Sequence, residues 1–350
     1  QQLGTRKGAE VARQQLGTRK GAVVALDPRD GSVLAMWSFP SFDPNPLSAH
    51  SQRRVQDYWD RLQADSRKPL LARSFRERYA PGSTFKVVTA AAALERAPDL
   101  TTKDYPTLSR LDLPQTDKDL PNFGGGTCGG QLPDLLRRSC NTGFAQMGLD
   151  LGGDALAGEA RDFGFESRPP LDLPAVARSV FPEGSSFVRD KPALATSAIG
   201  QRDVSATPLQ MALVAAGVAN GGVVMRPHVM KEVRDDEGEV VRSANPTPWK
   251  RAMSPSSAAE LRDMMVAVVR SGTATRAAVP GVAVAAKTGT AQTTGDNSHA
   301  WIVTFAPAEA PRVAVAVIVE SQPGLGDTVT GGRVAAPIAQ AVMAAALGRP

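Results

Sequence analysis

Three groups of residues in this chain have the types and spacings that chemistry needs. Ser83-Thr84-Phe85-Lys86 places a hydroxyl three residues before an amine, and on a helix these share a face and can meet. A serine hydroxyl is a weak nucleophile until a base takes its proton. Lysine is such a base only when neutral, a state that burial or a second cation favours. Pro81-Gly82 breaks the chain just ahead of Ser83. That puts the serine at a helix N-terminus, where free N–H groups and the helix dipole favour developing negative charge.

Ser139-Cys140-Asn141 adds a second hydroxyl and an amide. A hydroxyl both donates and accepts, so Ser139 can relay a proton, and the Asn141 amide can hold Lys86 and a substrate amide together. Lys287-Thr288-Gly289-Thr290 follows the apolar run 282–286 and so lies on or at the end of a strand. Gly289 admits close approach of another backbone. Lys287 supplies positive potential that keeps Lys86 neutral, and Thr288 and Thr290 suit a substrate carboxylate. An edge strand here offers backbone groups to an extended peptide. Each motif alone also fits an ordinary reading: a helix cap with a surface lysine, a turn, a solvated strand end. Together, in this order, they supply nucleophile, base, relay and carboxylate clamp, which is acyl transfer through a serine ester.

The elements that must position these groups can be read around them. Residues 22–27, the turn Pro28-Arg29-Asp30-Gly31 and residues 32–38 predict a β-hairpin. A charged, helix-compatible stretch follows over 51–78, and an Ala- and Val-rich run from Ser83 to Leu94 predicts a buried helix. Residues 99–130 read as a loop-dominated surface excursion, and Thr142 to Leu151 as a helix. Thr207-Pro208 is an N-cap followed by proline at the first helical position, opening a helix to Ala219; Ser254-Pro255 opens another that Gly272 ends. Residues 282–292, 300–306 and 313–320 are strand-like, and 334–347 predicts a terminal helix. Strands at both ends with helices between predict an α+β fold: an antiparallel sheet built from both termini with a helical subdomain inserted. The expected division is a sheet subdomain at about 21–80 and 280–350 and a mainly helical one at about 81–279.

Bulk properties exclude other classes. The 350 residues, 42% apolar and 21% charged, suit an ordinary globular protein with a full core. The net charge of +5 is spread along the chain, a solvated surface with some attraction for anionic envelope polymers or lipid headgroups. No basic block with interleaved aromatics points to nucleic acid. The three histidines and two cysteines form no metal spacing, and no cofactor motif is present. QQLGTRKGA occurs at 1–9 and again at 14–22, a repeat set aside from fold reasoning as an assembly artefact, with a short upstream helix as the alternative. No apolar run is long enough to cross a bilayer. A chain that starts at Gln1 reads as a piece of a longer protein, whose missing segment would carry an anchor.

Beyond the three motifs, the chain holds Tyr79-Ala80-Pro81-Gly82, Ala198-Ile199-Gly200-Gln201, Thr207-Pro208-Leu209-Gln210-Met211-Ala212, Ala219-Asn220-Gly221-Gly222, Pro227-His228 and Lys287 through Gln292. With these it resembles the transpeptidase domain of class B penicillin-binding proteins from Gly21 to the C-terminus. His299-Ala300-Trp301 and the stretch 124–130 around Cys128 resemble the actinobacterial penicillin-binding protein A type. The resemblance implies a D,D-transpeptidase on the extracytoplasmic face of the cell membrane, with peptidoglycan stem peptides as substrate, β-lactams as covalent inhibitors and a membrane polymerase as partner.

It also implies roles. Ser83 is nucleophile, Lys86 base, Ser139 proton relay and Asn141 orienter of the donor amide. Lys287, Thr288 and Thr290 hold the terminal carboxylate, and the N–H groups of Ser83 and Thr290 form the oxyanion hole. Two features depart from or add to the pattern. Arg202 stands where the family usually has glycine, so the local turn is expected to differ. Cys128 and Cys140 are either a disulfide or two free thiols, since spacing does not fix the Cα distance. Rival readings are a D,D-carboxypeptidase, a serine β-lactamase, and a non-catalytic β-lactam sensor or scaffold. Asn141 and the absence of a Glu-x-x-Leu-Asn segment weigh against the β-lactamases.

Overall fold

The computed structural model describes residues 6–293, 298–321 and 330–349. Five strands make one antiparallel sheet. β1 (Gly21–Leu26) and β2 (Val33–Phe39) form the predicted hairpin; β3 (Ala285–Gln292), β4 (Ser298–Ala306) and β5 (Val313–Val319) come from the far end of the chain. The spatial order is β3-β4-β5-β1-β2, so the two ends of the sequence meet at the β5–β1 pair, with Gly21 opposite Val319 and Leu26 opposite Ala314. Both of those strands are buried at every residue, which requires cover on both faces. The third motif rides on β3, at the edge of the sheet.

The α-helices longer than one turn are, among the described residues, α1 (Arg6–Leu16), α2 (Gln52–Ala64), α3 (Lys86–Arg96), α4 (Leu132–Arg138), α5 (Asn141–Leu151), α6 (Gly153–Asp162), α7 (Lys191–Ser197), α8 (Pro208–Ala219), α9 (Pro255–Ser271) and α10 (Ala336–Ala346). α8 begins where its sequence signal says: the Thr207 hydroxyl accepts from Gln210 N at 3.1 Å. It is apolar all round and packs across β1, β4 and β5. α1 and α10 pack on each other and on the sheet. Residues 6–16, which span parts of both copies of the repeat, form α1, with Ala12 and Leu16 fully buried; residues 1–5 lie outside the described residues.

One sequence expectation is shortened. The helix foreseen over 51–78 is α2 and ends at Ala64. The Asp65 side chain accepts from Arg67 N at 2.9 Å, an Asx turn that competes with helix continuation, and Pro69 follows. Residues 99–130 carry two small strand pairs, 105–108 with 128–130 and 110–112 with 119–121, rather than plain loop. Disulfide Cys128–Cys140, with Cα atoms 5.8 Å apart, ties this excursion to the start of α5.

Candidate active site

Ser83 sits in a 3-10 turn, Gly82–Phe85, directly ahead of α3, and Lys86 is the first residue of α3 proper. The turn is held from several sides. Gly82 has φ 52° and donates its N–H to Gly200 O at 2.9 Å; the Thr84 hydroxyl donates to Pro81 O at 2.7 Å. A Cβ on Gly200 would stand 2.3 Å from Gly82 O, so only glycine lets these segments touch. Phe85 is fully buried, stacked on Phe181 at 5.3 Å and edge-on to Phe165 at 5.5 Å. Just upstream, Trp301 Nε1 donates to Ala80 O at 3.1 Å and the Tyr79 hydroxyl donates to Glu320 at 2.8 Å.

The second motif is set by helix termination. α4 ends at Arg138, and Ser139 takes the left-handed conformation, φ 59° and ψ 41°, which reverses the chain before α5 begins at Asn141. A non-glycine residue there costs about 1 kcal/mol. The reversal turns both oxygens of Ser139 toward Lys86. Lys86 Nζ donates to Ser139 O at 2.8 Å and to Asn141 Oδ1 at 2.7 Å, and lies 3.5 Å from Ser139 Oγ. The Phe144 ring of α5 stands 5.5 Å from the same nitrogen.

From β3, Lys287 Nζ donates to Ser139 Oγ at 2.7 Å and to Thr288 O at 2.9 Å. Thr288 is buried, its hydroxyl 2.5 Å from that of Thr273, while Thr290 is half-buried. Gly289 packs against the Ser83 turn: a Cβ there would lie 3.0 Å from Pro81 O and from Thr84 Cγ2. A Cβ on Gly82 would likewise lie 2.9 Å from Thr290 O, so the edge strand runs alongside the serine turn.

Both lysines are fully buried. Burial first, and the Lys287 charge second, push the Lys86 ammonium well below its usual range. Burial alone brings Lys287 down to about 7. The sequence reading named burial or a second cation as what favours neutral Lys86; both act, with desolvation the larger. A neutral amine has two N–H bonds, and Lys86 has two close acceptors for them, Ser139 O and Asn141 Oδ1. Its lone pair is left to accept a proton.

The structure thus brings Ser139, Asn141, Lys86 and Lys287 into one hydrogen-bonded group, with Ser83 on the turn leading into Lys86 and Thr288, Gly289 and Thr290 on the adjoining strand edge. Sequence reasoning missed Asn122 and Thr273. Asn122 lies in the Gly-rich excursion and Thr273 follows the glycine that ends α9; neither carries a sequence signal that sets it apart from a loop residue. Arg202 has φ 60°, the conformation that glycine takes freely, and its guanidinium pairs with Asp190 at 2.8 Å. The turn keeps the shape glycine would adopt, with an arginine in it.

Residues 21–344 match the family profile "Penicillin binding protein transpeptidase domain". The chain belongs to the penicillin-binding protein transpeptidase family. It is 43% identical over 333 residues to the peptidoglycan D,D-transpeptidase PbpA of Mycolicibacterium smegmatis, covering 92% of this chain and 66% of that protein. Among solved structures it resembles penicillin-binding protein A from M. tuberculosis in its penicillin G acyl-enzyme complex, with a TM-score of 0.90 and 39% identity over 99% of this chain and 80% of that one. It also resembles a D,D-transpeptidase domain from Eggerthella lenta, TM-score 0.87 and 33% identity, covering 99% of this chain and 82% of that one. The chain spans just under two thirds of the length of its mycobacterial relatives.

Proposed function

We propose that this chain is the catalytic domain of a peptidoglycan D,D-transpeptidase that forms a serine acyl-enzyme on stem peptides ending in D-Ala-D-Ala. The observation that carries this reading is the buried Lys86 amine, with close acceptors for both N–H bonds and a lone pair one helical turn from Ser83. Lys86 takes the proton of Ser83 Oγ as that oxygen bonds to the penultimate D-Ala carbonyl carbon. The N–H groups of Ser83, on the turn, and Thr290, on the adjoining edge strand, stabilise the oxyanion.

The proton then moves from Lys86 to Ser139 Oγ while the Ser139 proton passes to the departing D-Ala nitrogen, and the C–N bond breaks. Lys287 supports this relay by donating to Ser139 Oγ at 2.7 Å. Asn141 orients the donor amide, and Thr288, Thr290 and Lys287 hold the terminal carboxylate. The amine of a neighbouring stem attacks the ester and reverses the path. A β-lactam mimics the donor and stays on Ser83.

The whole protein acts at the extracytoplasmic face of the membrane with a membrane polymerase as partner; the Cys128–Cys140 disulfide fits an oxidising compartment. Intact-mass measurement after benzylpenicillin tests the chemistry: one slowly lost adduct on the wild type, none on Ser83→Ala. No adduct on the wild type refutes serine acylation, and an adduct gone within seconds identifies a β-lactamase. Cross-linked dimers from polymerised lipid-linked substrate separate a transpeptidase from a carboxypeptidase or a sensor.

A further inference from the structure

Asn122 is 6% exposed and all four hydrogen-bonding positions of its amide are occupied. Its Oδ1 accepts from Asn141 N at 2.9 Å and Thr142 N at 3.1 Å, the first two N–H groups of α5. Its Nδ2 donates to Leu108 O at 2.8 Å and Gly126 O at 3.0 Å, which anchors it to the small strand pairs of the excursion. The preceding residue joins in: Asn141 Nδ2 donates to Pro121 O at 3.1 Å. The dipeptide Pro121-Asn122 therefore grips Asn141 at both its backbone and its side chain. A helix N-terminus normally finds such an acceptor on its own Ncap residue, but here that residue is Cys140, whose sulfur is in the disulfide. The cap comes instead from a residue far upstream in the chain.

We propose that Asn122 is a positioning residue for acylation: through Asn141 and the Ser139 carbonyl it holds the two acceptors that aim the Lys86 amine at Ser83. This rests on the acyl-transfer reading above. Without Asn122 the first two N–H groups of α5 lose their acceptor. Asn141 keeps its side-chain bonds to Pro121 O and Lys86 Nζ but loses its backbone anchor, so the start of α5 shifts more readily relative to Ser139. The pair of acceptors at Lys86 is then no longer fixed, and the amine gains access to water. Among the described residues the one charge that shifts Lys86 is Lys287 of β3, and the side chains at its amine, Ser139 and, from α5, Asn141 and Phe144, are neutral. A change in the Lys86 environment therefore appears as a shift of the acid limb relative to wild type, over the Lys287 titration that both proteins share.

The experiment follows acylation by a fluorescent penicillin from pH 6 to 10 in wild type, Asn122→Ala, Asn122→Asp and Leu16→Ala. The last removes a buried side chain of α1 and serves as a control for lost stability. Expected are a tenfold or greater slowing at pH 7 for Asn122→Ala, with the acid limb moved to higher pH and the same final one-to-one labelling. Asn122→Asp keeps an acceptor facing both N–H groups, loses the two donors to Leu108 O and Gly126 O, and stays clearly faster than Asn122→Ala. Leu16→Ala melts earlier but keeps the wild-type rate and limb.

The proposal is overturned if Asn122→Ala shows the wild-type rate and limb, or if Asn122→Asp is as slow as Asn122→Ala. It is also overturned if Leu16→Ala reproduces the alanine profile. Should Asn122→Ala fail to fold, Asn122→Ser replaces it, its hydroxyl being too short to reach both N–H groups. Absence of labelling in the wild type would strike the acyl-transfer reading instead.

Discussion

Replacing Lys287 with methionine should stabilise this protein at neutral and acid pH and destabilise it in alkali. Lys287 is fully buried and brought from 10.5 down to about 7 by desolvation. At about 1.4 kcal/mol per pH unit, keeping it protonated in the fold costs on the order of 5 kcal/mol below pH 7. The sign follows from proton binding. Between pH 7 and 10.5 the unfolded chain holds a proton there that the folded chain does not, so wild-type stability rises with pH across that window. The cost is complete below the folded value and gone above the unfolded one. Against it stand the two hydrogen bonds from Nζ to Ser139 Oγ and Thr288 O, worth roughly 1 kcal/mol each. Lys287→Met loses both the cost and the bonds. It should be more stable than wild type by about 3 kcal/mol at pH 6, equal near pH 9, and less stable by about 2 kcal/mol at pH 10.5. Urea denaturation at four pH values reads this directly, and acylation by benzylpenicillin should fall at least a hundredfold in the same variant. A variant less stable than wild type at pH 6, or a stability difference that does not change with pH, refutes the reasoning.

Three further perturbations test the scaffold. Gly289→Ala places a Cβ 3.0 Å from Pro81 O and Thr84 Cγ2, so the edge strand must part from the serine turn; acylation should slow at least tenfold for a loss of about 1–3 kcal/mol measured by urea denaturation. Glu320 holds the buried Arg73 at 2.8 Å as well as Tyr79 and Lys20. Burial opposes its ionisation, but the hydrogen bonds from Lys20, Tyr79 and Arg73 outweigh it and hold the carboxyl below its usual range. Its stabilisation is therefore complete above pH 4.5 and lost as pH falls through the lower folded value. Glu320→Gln should cost about 3–5 kcal/mol at pH 7 and flatten that acid transition in a melting series. Reducing the Cys128–Cys140 disulfide, which closes a short loop, should cost about 3 kcal/mol in urea denaturation and slow acylation, because Cys140 lies between Ser139 and Asn141.

The local elements were legible where the signal is local. Thr207-Pro208 announces α8 because an N-cap hydroxyl and a first-turn proline act within a few residues of themselves. The hairpin of β1 and β2 is announced by Pro28 to Gly31 between two apolar runs. The stretch after Ala64 was not legible, because Asp65 stops the helix with a side chain that is just as common on helix surfaces. Gly200 and Arg202 show the same contrast at the site. The sequence marks Arg202 as a departure, yet its backbone takes φ 60° and keeps the glycine-like turn, with Asp190 beside its guanidinium.

By itself the sequence determined the inventory and the order: two serines, two lysines and an amide in three motifs, the first two at helix starts and the third on a strand. Residue types and short spacings suffice for that, because hydroxyl, amine and amide chemistry belongs to the side chain. Only the tertiary structure decided what favours the neutral form of Lys86. Burial, a property of the whole packed domain, strips the water from Lys86, and the left-handed turn at Ser139 supplies the two acceptors that aim it. It also decided that Asn122, silent in its loop, caps the helix that carries Asn141. Long-range contacts of this kind depend on where separate segments meet, and no local pattern of residues encodes that.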